Sequence, residues 1–323
     1  MKQRTSIRGI FAALMFCLGA PLLGWASDEA SVFIVVGAAG GSDYAPAFSK
    51  WAANWQQACE TAGARAQTIG LDDQAEKSLE QLRTALNAEP KDGDAELWLV
   101  LVGHGADDKF NLAGDDLAAS ELAALLKPFQ RPLILLNSFS ASGARKEPLA
   151  APGRIVITAT KSGSERNYSR FGRYLSEAIA DPAADFDKDG QTSVLEAWLA
   201  AAQRVAAFYT EEGRLATEHS LLDDNGDGKG TPADWFRGLR VVKKAKDGTP
   251  ADGLRAGQVH LVRNPDERAL SAATRAERDA LEMELAKLRE SKASLPEDAY
   301  YRDLEALLRK IAKLYEREPA KAD

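Results

Sequence analysis

Two stretches of this 323-residue sequence place oxygen-bearing side chains at every second position, and two others set a histidine and a serine beside glycines. In the first acidic stretch, Asp185, Asp187 and Asp189 stand at positions 1, 3 and 5, Gly190 at 6 and Glu196 at 12. Gln191 offers its backbone carbonyl at position 7, and Ser193 can hold a water at 9. Calcium is a hard cation that takes six to eight oxygens, and this spacing wraps them around one ion, with glycine at the sharp turn. The second stretch repeats the pattern with Asp223, Asn225, Asp227, Gly228, Lys229 at 7, Thr231 at 9 and Asp234 at 12. There the shorter Asp234 makes bidentate closure harder, and Pro232 constrains the exit. Position 8 holds Thr192 in one loop and Gly230 in the other, so the two do not read as a paired domain but as separate insertions.

Regular elements must position these groups. Val32 to Val36, Ala66 to Leu71, Leu97 to Val102, Pro132 to Leu136 and Arg154 to Thr160 are short apolar runs. Between them lie helical patterns at Pro46 to Ala62, Gln74 to Asn87 and Glu121 to Phe129. Strands alternating with helices predict an α/β fold: a doubly wound, mostly parallel sheet with helices on both faces. In such sheets ligands gather beyond the carboxyl ends of the strands. Those ends carry Gly103-His104-Gly105, then Asn137-Ser138-Phe139-Ser140-Ala141-Ser142-Gly143, then Lys161-Ser162-Gly163. A histidine and a small nucleophile candidate therefore fall on neighbouring strand ends. Helical runs from Phe171 to Ala180 and from Val194 to Tyr209 flank the first acidic loop, which completes an EF-hand-like pattern.

An apolar strand ending in a glycine-flanked histidine, a helix, and a second strand ending in Cys-x-Ser-Gly is the layout of legumain-like peptidases, which share the caspase and metacaspase fold. Gly103-His104-Gly105 and Ser140-Ala141-Ser142-Gly143 resemble those two motifs in register, and Ile157 to Thr160 resembles the following family strand. The resemblance covers residues 31–240. It implies a caspase-like sheet and a catalytic pair at His104 and Ser140, with a peptide or protein ligand along the carboxyl edge. Ser140 stands where the family has its cysteine. A hydroxyl, unlike a thiol of pKa near ~8.5, must lose its proton during attack itself. Serine catalysis therefore adds an acidic residue to orient the imidazole. Asp107 and Asp108 are the acids near His104 in sequence. The leading expectation is a degenerate peptidase; a serine hydrolase using Ser140 and His104 is the alternative, and a non-catalytic interaction protein a third.

Lys2, Arg4 and Arg8 precede an apolar run from Ile10 to Trp25, and Gly24-Trp25-Ala26 supplies a small-x-small cleavage pattern. Residues 1–26 read as a secretory signal peptide, so a periplasmic or secreted chain without a stable membrane anchor is expected. Of the 41 basic and 48 acidic residues, three basic ones leave with that segment, taking the net charge from −7 to −10. Such a balance argues against nucleic acid as a partner. Cys59 is then the one cysteine left, so no internal disulfide forms. Cys59, His219 and His260 read as structural, and no His/Cys pair has zinc spacing. Residues 241–263 look like a linker or extension. Residues 264–323 look like an αα-hairpin with apolar positions Tyr301, Leu304, Leu308, Ile311 and Tyr315, a surface for the core or for a partner protein. The expected organisation is thus a signal peptide 1–26, an α/β domain 27–240 carrying loops 185–196 and 223–234, then linker and hairpin.

Overall fold

A computed structural model describes residues 29–317; residues 1–28, which include the expected signal peptide 1–26, and residues 318–323 lie outside the described residues. The first strand, β1 (Ser31–Val36), leads into α1 (Ala45–Ala62), β2 (Arg65–Ile69), α2 (Ser78–Ala88) and β3 (Leu97–Val102). Three two-residue strands follow, β4 (Gly105–Ala106), β5 (Lys109–Phe110) and β6 (Leu117–Ala118), before α3 (Ala119–Leu126) and β7 (Leu133–Ser138). Then come α4 (Lys146–Leu149), β8 (Arg154–Thr158), α5 (Phe171–Ala178), α6 (Val194–Glu211), β9 (Leu221–Asp223) and β10 (Thr231–Pro232).

The main sheet has the order β10-β9-β8-β7-β3-β1-β2. The strands from β8 to β2 are parallel, whereas β9 and β10 run antiparallel at one edge. Both faces of the central strands are covered, which is why they are apolar throughout rather than alternating. Val32, Ile34, Trp98, Val100, Ile134 and Leu136 pack with α1, α5 and α6 on one side. Phe33, Val35, Leu97, Leu99, Leu133 and Leu135 pack with α2 and α3 on the other. The doubly wound α/β sheet expected from the sequence is present. Strand β7 runs two residues beyond the expected Leu136, because Asn137 and Ser138 pair with Leu101 and Val102.

Helix α1 shows how local sequence fixes an element. Pro46 opens it, and Gly63, in the left-handed region at φ 68°, closes it. Phe48, Trp51, Ala52, Trp55, Ala58 and Cys59 recur at helical spacing and form its buried face. Helix α5 has no side-chain cap of its own. Its amino end is satisfied from a distance by buried Glu218, whose carboxylate accepts from the Ser169 hydroxyl at 2.6 Å and the Arg170 and Phe171 amides at 2.9 and 3.1 Å.

Residues 241–263 are not the linker that their Gly, Lys and Asp content suggested. A β-hairpin, β11 (Phe236–Arg237) with β12 (Arg240–Val241), precedes the segment, and its second half is built into the domain. Ala256 and Leu261 are buried, and the Ala256 and Val259 carbonyls accept from the Leu195 and Val194 amides at 3.0 and 2.8 Å. Beyond it lie α7 (Pro265–Ala269), α8 (Ala272–Glu290) and α9 (Glu297–Arg317), the last two packed as the expected hairpin. Tyr300 and Leu314 are the buried positions of α9, while Tyr301, Leu308 and Tyr315 are about half exposed. The apolar stripe seen in the sequence therefore faces outward for most of its length.

Replacing Glu218 by Ala should cost about 3 kcal/mol in chemical denaturation, because several buried donors then lose one charged acceptor. A loss below ~1 kcal/mol would mean that water caps α5 instead.

Candidate functional site

Strands β3 and β7 are neighbours, and Val102 pairs with Ser138, so His104 and Ser140 both sit two residues past the last paired position. Their loops are tightly packed. A Cβ at Gly105 would lie 2.3 Å from the Phe139 ring, and one at Gly143 would lie 2.2 Å from the Ser162 amide. Side chains at either position would force the loops apart. Ala141 is held at φ 60°, a region that costs an L-residue roughly 1 kcal/mol, with its amide donating to the Glu165 carbonyl at 2.8 Å. Buried Ser142 accepts from the Ala159 amide at 3.0 Å, which ties the turn to the exit of β8.

The catalytic candidates are brought to one edge but are not joined. The Ser140 hydroxyl donates to the Gly105 carbonyl at 3.1 Å. The His104 ring packs edge-on to Tyr44 and Phe48, at 4.7 and 5.0 Å between centroids, with Tyr168 at 6.0 Å. Burial holds its pKa below the ordinary imidazole value, while a hydrogen bond to the Ala39 carbonyl partly opposes that shift. Among the described residues no hydrogen bond links this ring to Ser140 or to a carboxylate. Asp107 turns to Arg166 in an exposed ion pair. At Asp108 it is the backbone carbonyl that is used, accepting from Arg145 at 2.8 Å.

Arg145 is the residue that sequence reasoning missed. Fully buried, it donates to Asn137 Oδ1 at 3.2 Å and to the Asp108 and Leu117 carbonyls at 2.8 Å, and burial pushes its guanidinium down to about 10. One cation thus joins the end of β7 to the loop that carries His104. Cys59 is buried, and burial pushes its thiol up to about 12, so it is no substitute nucleophile. His219 pairs with Glu165 at 2.5 Å, and buried His260 bridges Ser193, both as structural contacts.

No protein-family profile matches the sequence, and no curated protein matches it. Among solved structures, caspase-1 from Spodoptera frugiperda is similar at 12% identity and a TM-score of 0.41, over 61% of this chain and 88% of that one.

In the first acidic loop, Asp185, Asp187 and Asp189 converge, with one carboxylate oxygen of each within 4.8 Å of the others. Asp185 accepts from the Lys188 and Gly190 amides at 2.6 and 3.1 Å, and Asp189 from the Gln191 amide at 3.0 Å. Crowding by Glu196, Asp189 and Asp185 adds to burial in raising the Asp187 carboxyl. Glu196 is the third residue of α6. Its Oε2 accepts from the Ser193 amide and hydroxyl, both at 2.8 Å, in a capping box. Its Oε1 accepts from the Phe186 and Asp187 amides at 2.7 and 3.3 Å.

The second loop departs from expectation at its end. Asp223, Asn225 and Asp227 accept from the Gly226, Asp227 and Lys229 amides at 2.9, 2.9 and 2.8 Å, as an ion-binding turn requires. Lys229 sends its ammonium to Asp247 at 2.7 Å and its carbonyl accepts from Lys146. Asp234 does not close the loop: it is exposed and pairs with Lys243 at 2.6 Å. The physical reason is the exit. A helix after position 9 folds position 12 back over the loop, whereas here Thr231 and Pro232 continue into β10 and carry Asp234 away. Asp252, unremarked in the sequence, is a further carboxylate buried at this loop beside Asp223 and Asp224, and burial with those neighbours pushes it up to about 7.

A proton NMR titration should place the His104 resonance, identified by its loss in His104→Gln, below the ordinary value of about 6.5. Folding should correspondingly weaken as pH falls below ~6.5, where the unfolded chain takes the proton that the native ring resists. A midpoint at or above that value would place the ring in water or beside an acid.

Proposed function

We propose that this chain is an exported, calcium-binding protein of the legumain-like, caspase-fold type whose peptidase chemistry is degenerate. The observation that carries the reading is the state of Ser140. Its hydroxyl is spent on the Gly105 carbonyl, while among the described residues the His104 ring is oriented by a backbone carbonyl rather than a carboxylate. A hydroxyl without a base in reach, and a base without an acid behind it, lack what serine attack needs. The doubly wound sheet and the placement of His104 and Ser140 on adjacent parallel strands support descent from a working pair. A peptide or protein segment bound along this carboxyl edge is the retained role, and the outward stripe of α9 offers a second contact for a partner protein. The acidic net charge and the sequence of residues 1–26 support export to the periplasm or medium.

The decisive experiment restores the thiol. Ser140→Cys should alkylate faster than Cys59, and adding His104→Ala should slow it, because only a nearby imidazole makes that thiol more reactive. Wild-type protein should cleave no member of a peptide library. Robust cleavage that Ser140→Ala abolishes would establish the serine hydrolase instead, and a Ser140→Cys thiol as inert as Cys59 would dissolve the pairing and favour a purely interacting protein.

Calcium is read at the first loop from the convergence of Asp185, Asp187 and Asp189, with the buried Glu196 at the end of the same loop. At 100 times its dissociation constant an ion bound only to the native state adds about 2.7 kcal/mol, or several degrees in Tm. Asp187→Asn should remove most of that rise and leave the melting point in chelator unchanged, since Asp187 is exposed. Glu196→Gln should lower stability even in chelator, because Glu196 caps α6. Identical melting with calcium and chelator would refute a site in this loop.

A further inference from the structure

Asp252 meets the second loop as Glu196 meets the first. In the first loop, one oxygen of Glu196 accepts from the amides at positions 2 and 3, Phe186 and Asp187, and the other from the position-9 hydroxyl, Ser193. In the second, Asp252 Oδ1 accepts from the amides at positions 2 and 3, Asp224 and Asn225, at 2.9 and 3.2 Å. Its Oδ2 accepts from the position-9 hydroxyl, Thr231, at 2.7 Å. The correspondence covers these three contacts, although Asp252 comes from a segment beyond the loop.

Two further observations point to a cation at the centre. Asp223, at position 1, is fully buried, and its Oδ2 has no hydrogen-bond partner although Oδ1 accepts from Gly226 inside the loop. A buried carboxylate oxygen without a partner is costly unless a cation meets it. The position-7 carbonyl of Lys229 already accepts from an ammonium, that of Lys146, whose charge lies in the field of Asp223, Asp227, Asp252 and Glu147. A cation is thus already drawn to the place where the loop would hold its ion.

We propose that the second loop is a divalent-cation site of the calcium class closed by Asp252 rather than Asp234, with Asp223, Asn225, Asp227 and the Lys229 carbonyl as its other ligands. The proposal shares its ligand class with the first-loop reading but none of its residues. Asp252 supplies the position-12 carboxylate that a helical exit supplies in the first loop. Lys146 withdraws from the Lys229 carbonyl as the ion enters, so the ammonium acts as a tethered competitor.

Calcium titration of the full chain by calorimetry tests this. Wild type should bind two equivalents, of which Asp187→Asn loses one and Asp252→Asn the other, the latter weakened at least tenfold. Asp234→Asn should keep both. Because Asp252→Asn removes a buried acceptor, exposed Asp227→Asn serves as the second variant and should weaken the same equivalent with apo melting unchanged. Lys146→Gln should tighten it. Loss of an equivalent in Asp234→Asn, or its retention in both Asp252→Asn and Asp227→Asn, would overturn the proposal. So would a wild type whose only equivalent is abolished by Asp187→Asn. A wild type whose only equivalent is abolished by Asp227→Asn would sink the first-loop reading and leave this one standing.

Discussion

One buried cation holds the carboxyl edge of the sheet together. The Arg145 guanidinium reaches the end of β7 through Asn137, the loop after β3 through Asp108, and β6 through Leu117. Two of these partners are neutral carbonyls and the third an amide oxygen, so no carboxylate neutralises the charge directly. Desolvating a cation is expensive, and the three fixed acceptors offset only part of that cost, since the buried Nη2 has no hydrogen-bond partner among the described residues. The loops bearing His104 and Ser140 are therefore set relative to one another by this side chain as much as by the β3–β7 register. Gly105 and Gly143 complete the constraint by letting backbone approach where a Cβ would collide.

Within that frame the chemistry is divided. The imidazole is packed edge-on against Tyr44 and Phe48 with Tyr168 nearby, and the hydroxyl donates to a carbonyl. The first acidic loop is the opposite case, with carboxylates gathered against their mutual repulsion.

What the sequence disclosed followed from local regularity. The buried strands were legible because Leu97 to Val102 is apolar at every position, and the clustering of Asp185, Asp187 and Asp189 because they are close in sequence and a helix follows. Arg145 was not legible: a basic residue in a run of Ser, Gly and Ala looks like solvated surface until three distant acceptors surround it. Asp252 was hidden for the same reason, its partners lying at 224, 225 and 231. Residues 241–263 resembled a linker or extension because composition reports flexibility of the isolated chain, whereas the burial of their second half depends on amides supplied by α6. The stripe on α9 has the right period, but periodicity does not say which side faces protein.

The second acidic loop also differs from the first in how it must come into being. Gly226, Gly228 and Gly230 sit so close to Ala151, Glu147 and Lys146 that Cβ atoms there would fall within about 3.2 Å of them. The loop is thus assembled from three stretches of chain: 146–152, 223–231 and the region around Asp252. The first loop, by contrast, closes within twelve consecutive residues at its own helix. Bringing remote stretches together costs loop-closure entropy before any contact compensates for it. The first loop can therefore order early as a local helix-flanked turn, whereas the second takes shape only when β8, β9 and the 249–256 stretch have docked, and its ordering marks completion of this edge of the domain.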